Sequence, residues 1–135
     1  MDLDKALSIS ASGMAAQSSR LRVVAENLAN QDTTSSTPGG DPYRRKTISF
    51  EDQVDQTLAV DRVQIKQIGQ DMSDFPTRYD PSNPAADANG YVKLPNVNTF
   101  IEMMDMRDAD RTYAANLSVM QATRNMLDRT IELLK

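Results

Sequence analysis

Residues 99–134, TFIEMMDMRDADRTYAANLSVMQATRNMLDRTIELL, decide the architecture. Met106, Tyr113, Met120, Leu127 and Leu134 recur every seven residues, and Leu117 and Ile131 fill the alternate position of the same repeat. Such spacing draws a narrow apolar seam along a helix, rather than the broad face of a helix lying on a globular core. The stretch contains neither Gly nor Pro. Thr99 and Glu102 have the spacing of a capping box, with Asn98 as an alternative cap. At about 1.5 Å per residue this helix runs for roughly 50 Å, more than a small globule can wrap.

The other end of the chain mirrors it. In residues 3–30 Leu7, Met14, Leu21 and Leu28 recur every seven residues, and Leu3 and Val24 extend the stripe. Asp2 and Asp4 stand where the helix dipole favours negative charge. Gly13 costs about 1 kcal/mol relative to Ala inside a helix, which a tight contact or a bend would explain. Asn27 and Asn30 suit the helix end, since Asn tolerates left-handed geometry. Asn116, between Tyr113 and Met120, either fixes register in the second seam or faces solvent beside it.

Between the helices, residues 33–97 are of another kind. Hydroxylated Thr33–Thr37 leads into Pro38-Gly39-Gly40-Asp41-Pro42, which is loop chemistry. Thr47–Phe50 alternates like a short strand, Glu51–Val60 suits a helical turn or two, and Arg62–Lys66 alternates most cleanly, with Gly69 ending that strand or marking a bulge. Asp74–Asn89 reads as an ordered loop, and Asn89-Gly90 as a turn before a short strand, Tyr91–Leu94. Arg44-Arg45-Lys46 reads as a solvated loop edge. The predicted fold is mainly α. Two long terminal helices, in segments 1–32 and 98–135, pair as an antiparallel coiled-coil-like hairpin around a small β-rich, irregular middle module, 33–97.

Composition narrows the function. The chain of 135 residues has no Cys and no His, which excludes disulfides, thiolate chemistry, the usual zinc sets and the commonest general base. Asp71, Asp74, Asp80 and Asp87 crowd one region, but the stretch from Ala85 lacks the first and twelfth ligands of a calcium loop. Neither metal nor cofactor is expected, nor any catalytic residue. A net charge of −4 argues against nucleic acid as a partner. No stretch is long and apolar enough to span a membrane, and the N-terminus lacks the form of a cleaved signal peptide. Aromatics are only 5%, while eight Met residues supply adaptable packing material, as in a helical protein that completes its core with partners.

Ser12-Gly13-Met14-Ala15-Ala16 with Glu26-Asn27-Leu28-Ala29-Asn30, and Arg111-Thr112-Tyr113-Ala114-Ala115-Asn116 with Met126-Leu127, resemble the terminal signatures of bacterial flagellar axial proteins. The middle stretches Ser36–Lys46 and Tyr79–Val92 resemble the proximal-rod branch of that family. The sequence departs from the general pattern in two places. A Pro/Gly insertion replaces the short turn after the Asn-rich helix end, and Ala114 stands where an acid is common. The resemblance implies a structural subunit of the periplasmic basal-body rod, exported by the flagellar type III apparatus without signal cleavage. Its partners would be further copies of itself, other rod and basal-body proteins, the export apparatus and a surrounding ring. It implies terminal helices lining a hollow tube, Asn27, Asn30 and Asn116 as family motif residues, and Phe50 with Val54 as a candidate export motif. A soluble helical-hairpin adaptor or export chaperone is the competing reading, and a carboxylate-based enzyme or metal protein a third.

Overall fold

The computed structural model describes residues 3–56 and 60–133. Helix α1 spans Leu3–Ala29 and helix α2 spans Thr99–Leu133. Between them lie β1 (Lys46–Asp55), β2 (Val60–Gln70), β3 (Thr77–Tyr79) and β4 (Tyr91–Lys93), paired as two separate two-stranded sheets, β1-β2 and β3-β4. The protein is therefore mainly α with a β middle. Asp2 and Leu134 of the expected helices lie outside the described residues.

Both helices end on Asn. Asn30 closes α1, its Nδ2 donating to the Glu26 carbonyl at 2.8 Å while its backbone N–H turns back to the same carbonyl at 3.2 Å. Asn98 opens α2, its Oδ1 accepting from the backbone N–H groups of Phe100 and Ile101. The expected capping box does not form, because both of its members are engaged elsewhere. Thr99 Oγ1 hydrogen-bonds Gln31 Oε1, and Glu102 points into the interior.

The chain divides into two compact units, and the boundary falls inside each helix. The first takes α1 up to Leu21, Ser49–Gln67, and α2 from Arg107. Here Gly13 lies against Asn116 and Arg20 pairs with Asp108 at 3.1 Å, so the two helices run antiparallel. Among its described residues the buried apolar side chains are Ala16 and Ala109, the buried polar ones Ser10 and Thr123. Ser49 Oγ donates to the Gln67 carbonyl, Lys66 faces Glu51 at 3.9 Å, and Arg62 pairs with Asp55, which sets β1 and β2 antiparallel. Of the helical turns expected over Glu51–Val60, this corrects Glu51–Asp55, which is strand, while residues 57–59 lie outside the described residues. Strand β1 continues through Asp55 because its side chains find cross-strand partners, and Gly69 lies inside β2.

The second unit takes Arg22–Ile48 and Ile68–Met106. Val23, Val24, Ala85 and Val92 form its apolar core. The loop expected over Asp74–Asn89 contains β3, which pairs antiparallel with β4 in the register Thr77↔Lys93, Arg78↔Val92, Tyr79↔Tyr91. Gly90 makes the return possible at φ 82, a left-handed conformation that L side chains rarely adopt. Tyr79 and Tyr91 stack edge to face at 5.3 Å.

Candidate functional site

The side chains that tie the second unit together are polar. Asn27, on the last full turns of α1, is 1% exposed, and Glu102, on the first turn of α2, is 0% exposed. Asn27 Nδ2 donates to the Lys46 carbonyl at 2.9 Å and to Glu102 Oε2 at 3.0 Å. Asn27 Oδ1 accepts from the Lys46 backbone N–H at 2.8 Å and from the Tyr43 hydroxyl at 2.9 Å. One amide thus fills its hydrogen-bonding capacity while joining α1, α2 and the start of β1. Neither Asp, which has no donor for Glu102, nor Leu, which meets neither polar group, could replace it.

The other oxygen of Glu102 accepts from Arg45 Nε at 2.5 Å. Arg45 also faces Asp71 at 3.6 Å and Asp105 at 3.9 Å, so its charge is shared among three carboxylates. Its backbone N–H donates to Asn96 Oδ1 at 2.8 Å, and Asn96 Nδ2 donates in turn to the Asp71 carbonyl at 3.0 Å. On either side of Arg45 the neighbouring cations find other partners. Arg44 sits over the Phe75 ring at 4.1 Å and donates to the Asp71 carbonyl. Lys46 pairs with Glu26 at 2.7 Å.

The electrostatics follow. The hydrogen bond and charge of Lys46 hold the Glu26 carboxyl below its ordinary value, and Glu26 raises Lys46 in return. Hydrogen bonds from Ser73 lower Asp71. Burial raises the Tyr43 hydroxyl, which keeps its proton available for Asn27. The run Arg44-Arg45-Lys46, expected to be a solvated loop edge, is thus a structural hub. Its legible signal was three consecutive cations at the start of a strand in an acidic chain.

The acidic loop residues are occupied locally. Asp87 Oδ1 accepts from the backbone of Asn89 and Tyr91, Asp80 Oδ1 accepts from Ser82 Oγ, and Lys93 holds Asp41 at 2.8 Å. Among the described residues no group of three carboxylates is placed to hold a metal ion.

The predicted seam residues of α1 divide by depth. Val24 is buried, while Leu3, Leu7, Met14, Leu21 and Leu28 are half-buried. On α2, Met106, Tyr113, Met120 and Leu127 are half-buried, and Leu117 and Ile131 are exposed. Met106, Tyr113, Met120 and Leu127 share α2's least exposed face with Glu102, Ala109, Asn116 and Thr123, which recur every seven residues one position before that of Leu117 and Ile131. Asn30 caps its helix, whereas Asn27, also expected to cap, is drawn inward by Glu102 and Lys46. Phe50 is half-buried and Val54 exposed, both on the same side of β1.

Residues 7–35 match the family model described as flagella basal body rod protein, and residues 88–133 match that of the flagellar basal body rod FlgEFG protein C-terminal region. The flagellar basal-body rod protein FlgC of Agrobacterium fabrum is 54% identical over 98% of this chain and 96% of its own length. That of Salmonella typhimurium is 40% identical over 93% of this chain and 92% of its own length. The FlgC protein of Bacillus subtilis is 38% identical over 94% and 95% respectively. The α1–α2 frame, the polar hub between them and these near full-length similarities lead to one assignment: the chain belongs to the family of the flagellar basal-body rod protein FlgC.

Proposed function

We propose that this protein is a structural subunit of the flagellar basal-body rod, with no enzymatic activity, and that it assembles through the faces of its terminal helices. The observation that carries the assembly reading is a second apolar line on α2. Val119, Met126 and Leu133 recur every seven residues and are 50%, 58% and 87% exposed. A soluble protein rarely leaves such a row uncovered. Full burial contributes roughly 1.5–3 kcal/mol for an exposed side chain such as Leu133 and about half of that for the half-covered Val119 and Met126, so a neighbouring helix would recover a few kcal/mol per subunit.

In the finer reading the subunit joins the proximal rod, a hollow periplasmic tube, with copies of itself and other rod proteins around it. The helices pair along their seams as an antiparallel coiled coil and line the tube, and the middle residues contact neighbours or a surrounding ring. The first unit supports this: among its described residues the buried apolar side chains are two alanines, a small apolar core. The outer parts of both helices are accordingly expected to order on assembly. Passage through the flagellar type III export apparatus, with Phe50 and Val54 recognised on the way, completes the route. Among the described residues no helix is long and apolar enough to cross a membrane.

The test is purification of intact basal bodies from cells carrying a tagged chain. A rod subunit copurifies with them and accumulates inside the cell when export is blocked. A chain that stays in the cytosol at fixed stoichiometry with another protein is an adaptor or chaperone, and the proposal then fails.

A further inference from the structure

Gly13 is an unfavourable residue for its place. It lies well inside α1, where Ala is the better helix former. It has no left-handed backbone angle that would require glycine. What it does have is a neighbour. A Cβ at Gly13 would stand 2.7 Å from Asn116 Nδ2 and 3.2 Å from Asn116 Cγ. The first of these distances is one that real Cβ atoms essentially never show, so any side chain at position 13 obliges the Asn116 amide, the free end of its side chain, to swing out of its place. The amide of Asn116 therefore sits in the notch that the missing side chain leaves.

Hydrogen bonding around the notch gives little direction. One turn further along α1, the side-chain oxygen of Gln17 is buried with no hydrogen-bond partner. The side chains deepest in this unit, Ser10, Ala16, Ala109 and Thr123, are small. Two helices meeting over small residues can slide by a turn with little change in packing. A protruding amide facing a single glycine cannot slide that way, because one turn on in either direction it meets a Cβ, at Ile9 or at Gln17.

From this geometry we infer that Gly13 and Asn116 form a steric key that sets the register of α1 against α2 in this unit. Asn116 acts by shape, and Gly13 is its receptor. The inference rests on the reading that the subunit works in an assembly with its terminal helices paired.

The experiment has two arms, both in cells whose own copy of the gene is replaced. In the first, the Gly13→Ala, Asn116→Ala and double variants are compared for incorporation into purified basal bodies, with total cellular protein as the control. Gly13→Ala is expected to lower incorporation about tenfold, the scale of an overpacked helix contact, although Ala favours the helix itself. The double variant, with a methyl in place of the amide, is expected to regain most of it. Full incorporation of Gly13→Ala, or a double variant no better than it, overturns the inference.

The second arm uses the absence of native Cys. Gly13→Cys with Asn116→Cys is expected to close an intrachain disulfide under mild oxidation in basal bodies. Gly13→Cys with Met120→Cys, one turn away and carrying Asn116→Ala so that the notch is relieved, is expected to enter basal bodies and not to close. Equal closure of both pairs, or interchain products, overturns the key. Absence of the wild-type protein from basal bodies is a different result, which defeats the proposed function instead.

Discussion

Arg45 and Glu102 form an ion pair whose two members are unequal, and that inequality gives a sharp prediction. Glu102 is 0% exposed, whereas the Arg45 side chain keeps 22% of its surface and has Asp71 and Asp105 as further partners. Removing Arg45 leaves a carboxylate buried, with Asn27 Nδ2 as its remaining side-chain donor. Breaking a buried pair in this way costs about 3–5 kcal/mol, and partial exposure on the Arg side brings the expectation to about 3 kcal/mol for Arg45→Ala. Glu102→Gln leaves no orphaned charge, because Arg45 keeps its other carboxylates. Gln Oε1 can accept from Asn27, but its Nε2 donor then faces the Arg45 Nε donor, so one charge-assisted hydrogen bond is lost, at an expected cost of about 1.5–2 kcal/mol. The double variant should be more stable than Arg45→Ala alone, because a neutral amide tolerates the buried site without a cation. Native-state hydrogen exchange of backbone amides in residues 22–30 and 98–106 reads the local stability directly. Each 1.4 kcal/mol appears there as a tenfold change in protection. Arg45→Ala costing no more than Glu102→Gln, or a double variant as unstable as Arg45→Ala, would refute the claim that the buried charge of Glu102 governs this cluster.

Three further outcomes are expected. Glu26→Gln should lower the stability of the second unit at neutral pH, and the difference from wild type should vanish in acid. The folded-state value of Glu26 is depressed below 4.5, so its contribution is present above that value and lost as pH falls through the folded value. Lys46, raised above 10.5, contributes below that value and loses its effect as pH rises through its folded value. A pH titration of urea unfolding checks both limbs. Gly90→Ala should destabilise the β3–β4 turn by about 1–2 kcal/mol for the left-handed backbone alone, and by more because the new Cβ would stand 2.9 Å from the Tyr79 ring. Tyr79 and Tyr91 resonances losing their mutual ring-current shifts in an NMR spectrum would report it. Leu21→Glu or Leu127→Glu should abolish motility while leaving the protein detectable by immunoblot, since a charge forced into a helix seam costs several kcal/mol in every subunit. A motile variant would count against the seam.

Much of the frame follows from local rules that residue spacing displays. The seven-residue recurrences placed both helices to within a residue or two, because periodicity and the absence of Pro are properties of the chain itself. Asn89-Gly90 marked its turn for the same reason: a left-handed residue requires Gly wherever the chain goes next. The terminal motifs carried the family for a similar reason, being contiguous in sequence.

What the sequence could not determine is which polar side chains the fold would bury. Glu102 has the spacing of a capping residue and Asn27 the look of a helix end, yet each is drawn away from that local role by a partner remote in sequence. The pairing of Asn27 with Glu102 spans 75 positions and that of Arg45 with Glu102 spans 57, and no local pattern encodes such a meeting. Glu51–Asp55 became strand rather than helix because cross-strand partners outweighed a weak local preference. Gly13 shows the division most simply. Its cost within the helix was evident from the sequence, and the reason that cost is tolerated, the Asn116 amide in its notch, existed only once the two helices lay side by side.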